Sequence, residues 1–411
     1  MSRSDAARPL WRGRALALVG IVLFAFSLRS AVASLSPVLG QIGEDFPMPA
    51  ALVGLIGTAP PVCYAVFGIA TPALERRFGL ERLVVAAMLV AAIGLSARAF
   101  AVDGVTLLIA TAVIFAAVGV GNVLVPPLVK KYFPDRIGLM TALYSATLSI
   151  STFVPPLVAV PLADTASWRL SLGMWAVFAA AAMIPWLALL RNERHSDADV
   201  DLAPADGQVL ARLWRLPMAW ALVIAFMTSG ALAYTSFAWM PEILIDIAGV
   251  TPATAGALLS LFAAVGLPMS LLVPILVVRF HATGHLFVVA VVSGLVGVAG
   301  LMVVPAAAPW LWMTLLGIAT LQFPMTLVLL GLRSRTHEGA VALSGFVQSV
   351  GYGIAAVLPL AVGLLHDATQ SWTGALVVMG VVVVASIPAG FVASRRITIE
   401  DQWERRHGPW A

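Results

Sequence analysis

Charge is scarce along this chain. Asp, Glu, Lys and Arg make up 11% of its 411 residues, under half of the roughly 25% usual in soluble domains. No Asp or Glu lies within any of its apolar runs. That leaves no embedded carboxylate to relay protons or to neutralise an embedded cation. The one cysteine, Cys63, excludes a disulfide framework. The six histidines (His195, His281, His285, His337, His366 and His407) read as loop or helix-end residues without metal-ligand spacing. No P-loop or other nucleotide motif is present, which argues against ATP-driven work, and no Ser/His/Asp constellation marks a nucleophile. The chain is therefore expected to be no enzyme and to need no cofactor or metal.

What remains is apolar. Hydrophobic residues make up 61% of the chain, and the mean hydropathy is +0.98. A bilayer core about 30 Å thick takes about 20 helical residues to cross. Only helices or closed barrels satisfy their backbone groups there. Twelve runs have that length: 15–39, 50–74, 83–101, 105–129, 138–162, 170–190, 217–241, 252–278, 286–304, 309–332, 340–364 and 373–394. The expected fold class is an all-α membrane protein with twelve transmembrane helices. The first run, preceded by Arg3, Arg8, Arg12 and Arg14, also has the outline of a secretory signal peptide. An arginine just before the cleavage position, and eleven further apolar runs, oppose that reading.

The connections alternate in charge. Both termini and every second connection, starting with Arg76, Arg77 and Arg82, hold 21 of the 24 basic residues. The other side carries Glu44, Asp45, Asp103, Asp164, Glu242, Asp246 and Asp367. The positive-inside rule makes the basic side, termini included, cytoplasmic. The sequence pI near 9.6 then reports topology, and no nucleic-acid partner is expected. The longest polar connection, 191–216, contains four aspartates with Pro204 and Gly207. It reads as a linker between residues 1–190 and 217–411, with a regulatory loop as the other reading.

The two halves repeat. Pro72, Leu74, Arg77 and Phe78 recur as Pro274, Leu276, Arg279 and Phe280, all 202 residues on, as do Gly54 and Gly256. Pro156 and Pro359 match at 203, with Asp164 and Asp367. Parallel six-helix repeats place a substrate site between them near the midplane. This organisation, with a basic loop after spans two and eight, resembles the major facilitator superfamily. Leu28-Arg29-Ser30-Ala31, Gly119-Val-Gly121-Asn122 followed by Pro126, Lys130-Lys131-Tyr-Phe-Pro134, and Leu343-Ser344-Gly345 running to Gln348 and Tyr352 are similar to segments of the cyanate/2-nitroimidazole transporter family. Ser30 stands where that family has proline, and Glu75 is displaced by one position in the superfamily's loop motif. The superfamily's span-four arginine and its span-five glycine-proline antiporter motif are not evident. The resemblance implies two pseudo-symmetric six-helix bundles in a bacterial inner membrane. Its implied activity is secondary transport of a small solute by alternating access, as a monomer. Gating roles are implied for Glu75, Arg77 and Arg279.

Arg29 is the central candidate. An arginine at the middle of a span costs about 2.5–3.5 kcal/mol on insertion scales. With no embedded acid to meet it, its partner is expected to be a substrate anion or cavity water; bonding to backbone carbonyls is the structural alternative. Its planar fork suits small oxyanions and carboxylates. Asn122 lies at similar depth, either in the site or in a structural hydrogen bond. Tyr144 and Ser145 belong to a polar stripe in span five. That stripe aligns, at an offset of 203, with Ser344, Gln348 and Tyr352 in span eleven. Tyr234 and Gln322 are further candidates. Trp239 reads as an outer gate or an interfacial anchor, and Phe262 as packing or a wall of the site. Paired prolines at 60–61, 126–127 and 155–156 predict kinks. Arg98 is expected to snorkel to the interface, and Arg169 to pair with Asp164.

Overall fold

Apolar runs with no solvent for their backbone groups fold as helices, and eleven of them form continuous or slightly interrupted spans. A computed structural model describes residues 14–192, 211–408 and 410. Spans two to twelve are Ala50–Phe78, Leu80–Ala99, Gly104–Tyr132, Leu139–Thr165, Trp168–Arg191, Pro217–Ala248, Pro252–Phe280, Thr283–Val303, Pro309–Leu332, Gly339–Thr369 and Thr373–Ala393. No strand occurs among the described residues. Span seven continues to Ala248, about two turns beyond the expected end, so Glu242 and Asp246 belong to it. Most of the expected linker, with its four aspartates, lies outside the described residues.

The first span is the broken one. A helix covers Ala15–Ser27, residues 28–35 are not helical, and the chain resumes as a 3₁₀ turn, Ser36–Val38, and a short helix, Leu39–Asp45. Irregular backbone at membrane depth persists only where protein or a cavity satisfies it. Here Arg98 supplies part of that. It is 1% exposed and donates from Nη1 to the Ala31 carbonyl at 3.0 Å. It does not snorkel, because the break offers its guanidinium an acceptor inside the bundle.

Most of the other interruptions lie just before single prolines, not at the pairs; the break at Met174 in span six has no proline near it. Breaks at Val265, Thr320–Leu321, Ala356 and Ser386 each precede a proline (Pro268, Pro324, Pro359, Pro388) by two or three residues. The proline ring crowds the carbonyl four residues back and removes one donor. Hydroxyls on neighbouring spans then take up exposed carbonyls. Ser229 donates to Thr320 O at 2.9 Å, and Thr58 to Ala356 O at 2.8 Å. The paired prolines lie within helices whose assignment continues through them.

The repeat is visible in space. A Cβ added to Gly54 in span two would lie 3.1 Å from the Pro359 carbonyl oxygen in span eleven. One added to Gly256 in span eight would lie 2.7 Å from that of Pro156 in span five. The matched glycines therefore meet the matched prolines crosswise, at the acidic end of the bundle. Ala51 N donates to Asp367 at the same end. Arg169 pairs there with Asp45, while Asp164 accepts from Gln41; the expected Arg169–Asp164 pair is not made. Arg169, with the Trp168 indole, holds the Asp45 carboxyl below the usual carboxylate range.

At the basic end a final helix, Ile399–His407, fastens the bundle. The buried Glu400 carboxylate accepts from Arg335 N (2.9 Å), Thr336 N (3.0 Å) and Thr336 Oγ1 (2.9 Å). Gln402 accepts from Met218 N at the start of span seven. Replacing Glu400 by alanine leaves buried donors without a partner. It is expected to destabilise the protein by roughly 2–4 kcal/mol, with Glu400→Gln intermediate; thermal unfolding in detergent measures both.

Candidate functional site

The site is built at the break in span one. Arg29 lies in that non-helical stretch, enclosed by protein yet still half-buried rather than fully buried. It therefore keeps some accessible surface. Its Cζ is 5.8 Å from the centroid of the Tyr64 ring, within the range of cation–π attraction. The Tyr234 and Tyr352 hydroxyls also approach the guanidinium. The three rings contact one another, with centroids 5.5 Å apart for Tyr64–Tyr352 and 6.2 Å apart for both Tyr64–Tyr234 and Tyr234–Tyr352. Three of the protein's five tyrosines, from spans two, seven and eleven, thus close around one arginine from span one. Phe115 and Phe226 pack edge-on behind Tyr64 and Tyr352. Arg29 makes no ion pair among the described residues.

Asn122 is half-buried, with its amide beside the Tyr64 hydroxyl, although no well-formed hydrogen bond reaches that oxygen. Its helix comes close to span two because a Cβ on Gly119 would lie 2.8 Å from the Cys63 carbonyl. So the structure brings together Arg29, Asn122, Tyr234 and Tyr352 of the expected set. It adds Tyr64, which sequence reasoning passed over. The available signal was a tyrosine in mid-span, where such rings are uncommon compared with the interfaces.

The remaining candidates are placed differently. Gln348, one turn from Tyr352, donates to Ser344 at 2.8 Å on its own helix. Gln322 is fully buried in the first turn after the Thr320–Leu321 break, and neither of its amide atoms has a partner. Tyr144 and Ser145 are half-buried neighbours in span five. The hydroxyls of Thr147, Ser149 and Thr152 near them bond back to their own helix. No described ring contact joins Tyr144 to the three tyrosines. Trp239 is fully buried and donates to Pro359 O at 2.8 Å, which excludes an interfacial anchor. Phe262 is buried edge-on to Phe237. Glu75 is buried. Arg77 and Arg279 are exposed, each over the phenylalanine that follows it (Phe78 at 5.4 Å, Phe280 at 5.7 Å), so the repeat extends to these contacts.

A half-buried cation on a broken span, walled by hydroxyls drawn from three others, belongs to a membrane transporter fold. Consistent with this, the fold is shared with a bacterial homologue of the human lysosomal transporter Spinster, solved in an inward-facing and occupied conformation: TM-score 0.75, 14% identity, covering 96% of this chain and 99% of that one. Residues 17–356 match the Major Facilitator Superfamily, and the chain belongs to that family. It is 31% identical to the 2-nitroimidazole transporter of Escherichia coli (strain K12) over 92% of this chain and 95% of that protein. It is 26% identical to the cyanate transport protein CynX of the same organism, over 89% and 95% respectively. It is a multi-pass transporter of small solutes rather than an enzyme.

Proposed function

We propose that this protein carries a small anion, cyanate-like or a small organic carboxylate, across the bacterial inner membrane by alternating access. The observation that supports this reading is Arg29: a cation at membrane depth, only partly buried, with hydroxyls around it and no carboxylate paired with it among the described residues. Arg29 supplies the charge. The Tyr64, Tyr234 and Tyr352 hydroxyls and the Asn122 amide supply hydrogen bonds that can be given or accepted as the ligand requires. Gln348, one turn from Tyr352, extends the polar wall. Because the tyrosines come from both halves of the chain, a bound anion draws residues 1–190 and 217–411 together, and these units rock about it with 191–216 as their cytoplasmic linker. The basic end faces the cytoplasm, and the monomer is the working unit.

The aromatic wall supports a second reading, export of nitroimidazole-like or other amphipathic compounds, whose flat rings would stack on Tyr64 and Tyr352. The two differ in what stabilises the purified protein, since a ligand that binds only the folded state raises its unfolding temperature by mass action. Cyanate, formate and benzoate at increasing concentration are expected to raise it saturably, and uncharged 2-nitroimidazole to leave it unchanged. The opposite pattern would select the exporter, and no response to any anion would reject the anion reading.

A further inference from the structure

A second arginine stands apart from the site just described. Arg98, 1% exposed at the acidic end of span three, has one guanidinium nitrogen on Ala31 O, while its Nε has no partner. It lines a cavity of about 20 Å³, room for one water or one halide-sized ion. Ser36, 6% exposed in the 3₁₀ turn after the break, lines the same cavity, and its Oγ is also unpartnered. Tyr234 forms another part of the wall and is at the same time one of the three tyrosines on Arg29. No acidic residue lines the space. Its remaining wall includes Gly57 and Ala238, in spans two and seven, where a Cβ on Gly57 would lie 2.6 Å from that of Ala238.

We propose that Arg98, Ser36 and Tyr234 form a second binding site for a small monovalent anion, a halide or the end of a pseudohalide, on the acidic side of Arg29. Two unpartnered buried donors facing one cavity are costly unless something accepts from them. A cation with no acidic neighbour makes an anion the best-matched acceptor. Tyr234 touches both arginines' surroundings, so an anion leaving Arg98 has a hydroxyl to pass before it meets Arg29. The Gly57–Ala238 contact places spans from both halves of the chain in the wall of the site. This deepens the anion reading above and rests on it for the class of ligand, but it concerns a different residue.

The test uses bromide with the full-length protein in an Arg29→Ala background, so that the first site cannot answer for the second. Thermal unfolding is titrated with sodium bromide against sodium gluconate at constant ionic strength. A saturable stabilisation by bromide is expected. Ser36→Ala leaves the Arg98–Ala31 bond intact and should raise the half-saturating bromide concentration about three- to tenfold, the equivalent of one hydrogen bond. Arg98→Gln should abolish the saturable response. In bromide-soaked crystals, anomalous scattering should place an ion within hydrogen-bonding distance of Arg98. A bromide response unaltered by Ser36→Ala, or no anomalous peak beside Arg98, overturns the proposal. Bromide binding at Arg98 in a protein whose Arg29→Ala form still transports anions would reject the role of Arg29 and leave this site standing.

Discussion

Arg29→Ala is expected to lower anion uptake into proteoliposomes at least about a hundredfold while leaving the protein folded. The charge is lost together with its hydrogen bonds, and charge-assisted bonds contribute roughly 1.5–3 kcal/mol each. One or two of them amount to one or more factors of ten in affinity apiece. Arg29→Lys keeps the charge but replaces a planar fork with a point donor, so its loss should be nearer tenfold. The three tyrosines give the control. Tyr64→Phe, Tyr234→Phe and Tyr352→Phe each remove one hydroxyl while keeping the aromatic wall, and should fall between wild type and lysine. Size-exclusion elution and the unfolding temperature report folding separately, since Arg29 makes no ion pair whose removal would leave a buried acid. Wild-type uptake by the alanine variant would sink the role assigned to this residue.

Gly256→Leu is expected to cut turnover at least tenfold by a different route. A Cβ at this position already lies 2.7 Å from a backbone oxygen, that of Pro156. A carbonyl within a helix cannot swing aside as a side-chain tip can. The leucine therefore opposes the packed arrangement of spans five and eight and favours states in which the acidic ends part. If the clash costs about 3 kcal/mol, a typical upper figure for overpacking, the closed state loses a factor of more than a hundred in population. Transport by alternating access needs both states, so cycling should fall by at least tenfold while ligand binding survives. Spin labels at the acidic ends of spans five and eight, in a Cys63→Ser background, should report longer distances in the variant. Unchanged distances with full transport would mean that the seam is not a gate. Gly54→Leu, against Leu360 and the Pro359 oxygen at 3.0 and 3.1 Å, should do the same more weakly.

Much of the architecture was legible because bilayer thickness fixes span length. The approximate span positions, the repeat offset and Arg29 followed from hydropathy and the scarcity of charge. The break in the first span was not legible. Residues 28–35 are mostly small or apolar and read as helix, and only tertiary contacts, such as Arg98 on Ala31, make the unwound form acceptable. Arg98 itself was misplaced for the same reason, since snorkelling is the default for an arginine near a span end when no internal acceptor is known. The polar stripe of span five was visible as a pattern, but Ser149 in it bonds back to its own helix, as isolated hydroxyls commonly do. Tyr64 was missed because one aromatic among apolar neighbours has no periodic signal. Its importance comes from facing Tyr234 and Tyr352, which lie far away in sequence.

The crosswise contacts of Gly54 with Pro359 and Gly256 with Pro156 have the form of an isologous dimer interface, in which position i of one copy meets position j of the other and the reverse. One glycine position and one proline position, each written twice along the chain, specify both seams. The acidic end can thus be understood as a homodimer contact contained within a single polypeptide, where a change at one glycine alters only half of the seal. In an unfused ancestor the same substitution would have altered both seams at once. The two sides can also differ: the Trp239 indole supports the Pro359 carbonyl, whereas the matched position in span one is occupied by the chain just beyond the break.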